Sequence, residues 1–348
     1  MHLALSPDIA NRPALPIRTA VRPAPPPPPD PGELDDAAQR LGGASHPVLV
    51  LGLECRGGDV AKWLRPLAET LPAPVLVTPR ARGVLPDPHP LNLGSVSEGS
   101  ALLAQADLVV TVGVDVLESV PQTWPAAAPV LHLGATASAR ADWMPAAELV
   151  GDIALMIEEL APRLRGQGRA DWDIAELDRL RRQVVAARRS DRGLARVVAM
   201  ARDVAPARTI AAADGGLCAA AVLAAWQAVS PSELLVPGEG RGAAFALPAA
   251  LAARLERPAC RTLAFTDTAG IAEADGVLDA MARLKAPVVA IVLGPATGAP
   301  PPVARRLGLT VVPALTESAL IRALSGALAG SAPSLIDARG GQAWSPSV

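Results

Sequence analysis

The segment that decides the fold runs from Leu263 to Gly294 and reads LAFTDTAGIAEADGVLDAMARLKAPVVAIVLG. An apolar run ends at Thr266-Asp267-Thr268, a segment with helical spacing follows, and a second apolar run, VVAIVLG, closes the unit. This order predicts a strand, a turn with one acidic side chain at its tip, a helix and a second strand. Two interpretations of Asp267 stay open: an acid that caps the helix, or a ligand for a divalent cation that binds phosphate.

The same alternation of short apolar runs and helical patterns recurs along most of the chain. Outside the opening segment, the apolar runs that predict strands include 47–52, 74–79, 128–134, 209–214 and 233–238. Strands that alternate with helices form βαβ units and parallel sheets. We therefore predict an α/β protein with two tandem doubly wound parallel-sheet (Rossmann-like) domains.

Composition changes suggest where these domains begin and end. Residues 1–39 form a proline-rich segment, whose stretch RPAPPPPPDPG favours an extended polyproline II conformation. That stretch is interpreted as a spacer, with a ligand for a proline-recognition module as the alternative. The first domain is predicted over 40–165, a charged linker helix over 166–192, and the second domain over 193–342.

Charge and cysteine content exclude several classes of function. The 348 residues carry a formal net charge of −2 with no long basic run, which argues against nucleic acid as a partner. No stretch approaches the roughly 18 uninterrupted apolar residues of a membrane helix. The three cysteines are widely spaced and form no CxxC pair, so a zinc site and a disulfide framework are both unsupported. A reduced, cytoplasmic location is expected.

The stretch 74–94, PVLVTPRARGVLPDPHPLNLG, is the most diagnostic in the first half. It resembles the central domain of thiamine-diphosphate-dependent enzymes of the acetolactate synthase and pyruvate decarboxylase superfamily. Members typically read PV-x-x-T followed by KG-x-x-P-x-x-HP-x-x-x-G. Two features depart from that pattern: Arg82 stands where the lysine is usual, and the strand end in 129–139 lacks the usual acid.

The second half resembles the diphosphate-binding domain of the same enzymes. The family's GDG turn corresponds to Thr266-Asp267-Thr268, and its asparagine pair to Leu293-Gly294-Pro295. The family's GxMGFGLPAA block appears as GRGAAFALPAA at 240–250, and a D-x-G turn lies at Asp214-Gly215-Gly216. The resemblance implies thiamine diphosphate as cofactor and Asp267 as the ligand of Mg²⁺. The cofactor-binding residues it implies are Asp214, Gly216, Gly240, Gly242, Ala243, Thr266, Thr268 and Ala269.

The opening residues MHLALSPDIANRP are similar to the last strand of the family's pyrimidine-binding domain. That domain carries the glutamate that protonates the aminopyrimidine, so no catalytic residue is assigned in this chain. An upstream sequence or a partner chain would have to supply it. Some family members also bind flavin in the central domain, which makes FAD a further candidate cofactor.

The resemblance implies a decarboxylase or carboligase of 2-oxo acids, acetolactate synthase-like, in a truncated or partner-dependent chain with a weakened diphosphate site. Active sites in this family form between subunits, so an oligomer is expected. The alternative is a non-catalytic paralogue that binds a nucleotide or another subunit. The lost glycines of the GDG turn, a lost asparagine and the missing pyrimidine-binding domain favour that alternative for this chain alone.

Overall fold

The computed structural model describes residues 6–10, 12–14, 26–57, 59–118, 127–138, 144–166, 170–188, 193–238, 242, 244–295 and 308–340. Within these ranges the chain forms two six-stranded sheets in which every strand pair is parallel. The predicted α/β class with two doubly wound parallel sheets is confirmed. In the part that the structure describes, no helix has the length and apolar content needed to cross a membrane.

The first sheet follows the order β3-β2-β1-β4-β5-β6. Its strands are Pro47–Leu51 (β1), Val75–Val77 (β2), Asn92–Ser95 (β3), Leu108–Val112 (β4), Val130–Gly134 (β5) and Ala147–Val150 (β6). This is the common doubly wound order: strands are added on one side of β1 as far as β3, and from β4 onward they are added on the other side. The switch point therefore lies between β1 and β4. Every residue of β1 and β4 is buried, which explains why both strands read as uninterrupted apolar runs.

The second sheet follows the order β8-β7-β9-β10-β12-β11. Its strands are Ile210–Ala213 (β7), Leu234–Leu235 (β8), Thr262–Thr266 (β9), Val288–Val292 (β10), Thr310–Pro313 (β11) and Ser334–Asp337 (β12). The reversal here falls between β7 and β9, because β8 lies on one side of β7 and the later strands lie on the other. The carboxyl ends of β7 and β9 therefore border the crevice in which sheets of this type bind ligands.

Helices cover the sheets. The first unit contains Pro7–Ala10 (α1), Pro31–Gly43 (α2), Val60–Thr70 (α3), Ser100–Leu103 (α4), Ile153–Leu164 (α5) and Ile174–Arg188 (α6). The second contains Gly193–Val204 (α7), Leu217–Ala225 (α8), Ala246–Glu256 (α9), Thr268–Glu273 (α10), Asp275–Leu284 (α11) and Glu317–Ala329 (α12). Short 3-10 turns lie at Leu53–Arg56 and Pro79–Ala81.

Both faces of the first sheet are packed. Leu41 of α2, Leu64 of α3 and Leu160 of α5 belong to the core on one face. Leu102 of α4 and Leu177 of α6 belong to the core on the other. Helix α2 thus crosses the boundary predicted at residue 40, and α6, expected as a solvated linker, contributes one buried side chain to the first unit. The domain boundaries themselves stay predictions.

The second sheet is covered in the same way. Val197 of α7, Val222 of α8 and Leu324 of α12 form one core. Leu247 of α9 and Leu278 of α11 belong to the other. Neither sheet leaves a face exposed to solvent, as expected when the crossovers of parallel strands are helices.

A buried ion pair joins the two units. The Arg82 guanidinium lies 2.6 Å from a carboxylate oxygen of Asp87, and both side chains are almost fully buried. Arg82 also donates hydrogen bonds to the backbone carbonyls of Leu223 and Trp226, each at 3.1 Å. The same Asp87 oxygen accepts a hydrogen bond from the Ala228 amide at 2.8 Å. The diagnostic stretch 74–94 thus contributes to the contact with the second unit.

The glycine of that stretch is required by the same contact. Gly83 has a φ of +87°, which side-chain-bearing residues rarely adopt. A methyl group on its Cα would overlap the carbonyl oxygen of Ser230 in the second unit. We therefore attribute the arginine-glycine pair at 82–83 to the packing of one unit against the other.

Candidate diphosphate site

Two of the predicted site residues, Asp214 and Asp267, lie at the crevice between β7 and β9. Asp214 directly follows β7 and Asp267 directly follows β9. Burial is the main cause that raises the pKa of Asp214. The negative charge of the nearby Asp267 carboxylate raises this pKa further. The fold thus places both acids at the switch point where a ligand of this sheet would bind.

The carboxylate of Asp214 is used inside the fold. One oxygen accepts a hydrogen bond from the Ala246 amide at 2.7 Å, and the other accepts one from the Thr266 hydroxyl at 2.5 Å. Only 2% of Asp214 is exposed. A methyl group on Gly270 would overlap both the Asp214 carboxylate and the Thr266 hydroxyl, which explains the glycine at that position. Asp214 ties together β7, β9 and the start of α9, with both oxygens already occupied.

Asp267 caps helix α10. Its Oδ1 accepts a hydrogen bond from the Gly270 amide at 2.8 Å, and its backbone is extended, as is usual for a capping residue. The side chain is half-buried, and its Oδ2 makes no hydrogen bond within the described residues. Thr268 and Ala269, the next two residues, are exposed. Capping therefore uses Oδ1 of Asp267 and leaves Oδ2 at the crevice. The role of Asp267 as a metal ligand stays a prediction.

The start of helix α8 borders the same crevice. Gly216 precedes the helix with a φ of +65°, and a methyl group there would meet no atom within 4 Å. Among the residues that the structure describes, no side chain caps the first amide groups of α8. Unpaired amide groups at a helix start attract anions such as phosphates. The Gly242 carbonyl accepts a hydrogen bond from the Gly215 amide at 3.1 Å, which brings the predicted residue 242 beside this turn.

The remaining predicted site residues divide into two groups. Thr266 is buried and serves Asp214, as described above. Gly240 and Ala243 lie outside the described residues. At the position of the family's asparagine pair, Leu293 is buried and Gly294 has no side chain. These two residues therefore offer no side-chain oxygen after β10.

The described residues offer few ligands for Mg²⁺. Among them, no group of three or more His, Cys, Asp or Glu side chains could hold a metal ion. Mg²⁺ is commonly held by one or two carboxylates, with phosphates and waters completing its octahedron. Oδ2 of Asp267 is the carboxylate oxygen that fits this arrangement. The diphosphate itself would have to supply several of the remaining ligands.

Comparison with known proteins shows what the chain is similar to. Residues 34–160 match the model described as the thiamine pyrophosphate enzyme central domain. Acetolactate synthase of Bacillus subtilis is 26% identical over 277 residues, which cover 75% of this chain and 49% of that protein. Benzoylformate decarboxylase of Pseudomonas aeruginosa is 27% identical over 363 residues, which cover 89% of this chain and 64% of that protein. The chain thus spans less than two thirds of the length of either relative.

Solved structures share the fold. The benzoylformate decarboxylase of Polynucleobacter necessarius superposes with a TM-score of 0.74 at 16% identity, covering 95% of this chain and 68% of that one. The thiamine diphosphate-dependent 4-hydroxybenzoylformate decarboxylase of Rhodococcus jostii gives a TM-score of 0.72 at 21% identity, covering 92% and 66%. At these identities the likeness shows the fold alone. The family model and the sequence relatives confirm the resemblance to thiamine-diphosphate-dependent enzymes inferred from 74–94.

Proposed function

We propose that this chain provides the central and diphosphate-binding parts of a thiamine-diphosphate-dependent enzyme that decarboxylates or joins 2-oxo acids. The observation that carries the proposal is Oδ2 of Asp267, which is left without a hydrogen bond among the described residues at the switch point of the second sheet. The names of the relatives, acetolactate synthase and benzoylformate decarboxylase, support 2-oxo acids as the substrate class.

Each residue has a separate part in this proposal. Asp267 holds Mg²⁺, and the amide groups at the start of α8 face the diphosphate oxygens. Asp214 does not touch the metal; it fixes the position of β9 through the Thr266 hydroxyl. When bound, thiamine diphosphate supplies the electron sink for breaking the bond next to the 2-oxo group. The group that protonates the aminopyrimidine comes from a pyrimidine-binding domain, in upstream sequence or in a partner chain of the oligomer.

Titration calorimetry with thiamine diphosphate and Mg²⁺ tests the proposal. The decisive variant is Asp267→Asn, because asparagine caps helices as well as aspartate but lacks the negative charge. The wild-type chain is expected to bind the cofactor only with Mg²⁺, and Asp267→Asn is expected to weaken binding by about tenfold or more, equal to about 1.4 kcal/mol. Asp152→Asn is the matched control, because Asp152 caps α5 through the Leu155 amide and has no part in the crevice. Equal binding by Asp267→Asn and the wild type would refute the metal role.

One observation favours the non-catalytic alternative. Both oxygens of Asp214 and one oxygen of Asp267 are satisfied within the fold, so these three oxygens need no ligand as a partner. A chain of this kind would act by binding a nucleotide or another subunit. Absence of binding heat, with or without Mg²⁺, in a folded wild-type chain would support this alternative.

A further inference from the structure

The crevice of the first sheet lies between β1 and β4, where the strand order reverses. Gly52 directly follows β1 and Gly113 directly follows β4, and the two come so close that a methyl group on Gly52 would overlap the Gly113 carbonyl oxygen. The same methyl group would overlap Oε2 of Glu118. In doubly wound sheets the diphosphate of a dinucleotide binds at this point, against backbone amide groups.

The carboxylate of Glu118 occupies that position. Its Oε2 accepts hydrogen bonds from the Leu53 amide at 2.7 Å and from the Asp115 amide at 3.0 Å. Its Oε1 accepts a hydrogen bond from the Thr78 hydroxyl. Only 1% of Glu118 is exposed. The three donors follow β1, β4 and β2, so a single carboxylate satisfies donors at the ends of three neighbouring strands.

Positive charge surrounds this carboxylate. Arg80 and Arg56 both interact electrostatically with Glu118. Burial lowers the pKa of Arg56, and the nearby charges of Arg80 and Arg257 lower it further. Nε of Arg80 is buried and has no hydrogen-bond acceptor among the described residues. Burial raises the pKa of the Glu118 carboxyl, whereas its hydrogen bonds and the charge of Arg80 lower it.

We propose that Glu118 is a built-in substitute for an anionic ligand and closes the crevice of the first sheet to the diphosphate of a dinucleotide. The amide and hydroxyl donors that would hold the diphosphate are already paired, and the space beside Gly52 is filled. The arrangement does not fit FAD, and the expectation of flavin binding is not supported. This inference concerns the first sheet and does not depend on the role of Asp267.

Anion binding after removal of the carboxylate tests this inference. Inorganic pyrophosphate is titrated by calorimetry into Mg²⁺-free protein, so that the second sheet lacks its cation. Glu118→Ala is expected to gain a saturable site that binds at least about tenfold more tightly than the wild type does. Glu233→Ala is the matched control, because Glu233 is also a buried carboxylate and accepts two backbone hydrogen bonds, from Val229 and Ser230. It is expected to gain no site.

A second variant covers the case in which Glu118→Ala does not fold. Glu118→Gln keeps the shape of the side chain but removes its charge, so an anion can compete for the donors. Pyrophosphate is expected to raise the melting temperature of Glu118→Gln and to leave that of the wild type unchanged. The inference is overturned if the wild type binds FAD or pyrophosphate as tightly as the variants, or if a folded Glu118 variant gains no anion binding.

Discussion

Replacing Arg82 with methionine tests how strongly the contact between the two units stabilises the chain. The substitution removes two hydrogen bonds to the carbonyls of Leu223 and Trp226 and the 2.6 Å ion pair with Asp87. It leaves the Asp87 carboxylate buried, with the Ala228 amide as a remaining close donor. Methionine fills a similar length, so the effect reports lost charge and hydrogen bonds more than an empty cavity.

The magnitude follows from the burial of the pair. Removing one partner of a buried ion pair typically costs about 3–5 kcal/mol, because the other charge stays in the interior without compensation. Arg188 reduces this cost only slightly, since its guanidinium lies 3.8 Å from the other oxygen of Asp87. Replacing both residues, as Arg82→Met with Asp87→Leu, is expected to cost less than the sum of the single changes by about 1–3 kcal/mol.

Urea unfolding measures these differences. Far-ultraviolet circular dichroism and tryptophan fluorescence are followed together, because a chain with two units can unfold in more than one step. Trp226, one of six tryptophans, lies at this contact, so the fluorescence signal includes it. Arg65→Met is the control: its pair with Glu69 is exposed, and the expected loss is at most about 1 kcal/mol. A loss for Arg82→Met no larger than that of Arg65→Met would refute the reasoning.

Two further predictions concern stability. Gly83→Ala is expected to lower the free energy of unfolding by at least about 1–2 kcal/mol, since alanine disfavours positive φ. Gly326 is exposed and lies inside α12, so Gly326→Ala is expected to raise that free energy by about 0.5–1 kcal/mol. Equal free energies of unfolding for the two variants would contradict this prediction. The pair with Arg196 lowers the pKa of Glu317, so its contribution is present above the ordinary glutamate pKa and is lost as the pH falls through the lowered value. Arg196→Met is therefore expected to destabilise by up to about 1 kcal/mol at pH 7 and by nothing in strong acid, and unfolding curves that differ equally at both pH values would disprove the assignment.

Much of the fold could be predicted from periodicity. The run predicted at 47–52 is strand Pro47–Leu51, and the run at 209–214 contains strand Ile210–Ala213. Strand Asn92–Ser95 was not predicted, because it lies at the sheet edge and its sequence contains a single large apolar residue. The run at 233–238 forms a strand of only two residues, Leu234–Leu235, at the edge of the second sheet.

The sites were harder to predict than the strands. The sequence pointed to Asp214 and Asp267, and the structure brings both to one crevice. It gave no indication of Glu118, although this acid lies in the loop that follows β4, where ligands of such sheets bind. The sequence showed Arg82 where the family usually has lysine, but it did not indicate the partners of Arg82 in the second unit.

The sequence by itself determined the class of the protein, because the alternation of apolar runs and helical patterns is local and survives in any window of the chain. Only the tertiary structure decided what each buried carboxylate does. Asp214 meets the Thr266 hydroxyl across 52 residues, and Glu118 meets the Leu53 amide across 65. A carboxylate takes its role from the donors around it, and here folding alone brings those donors together.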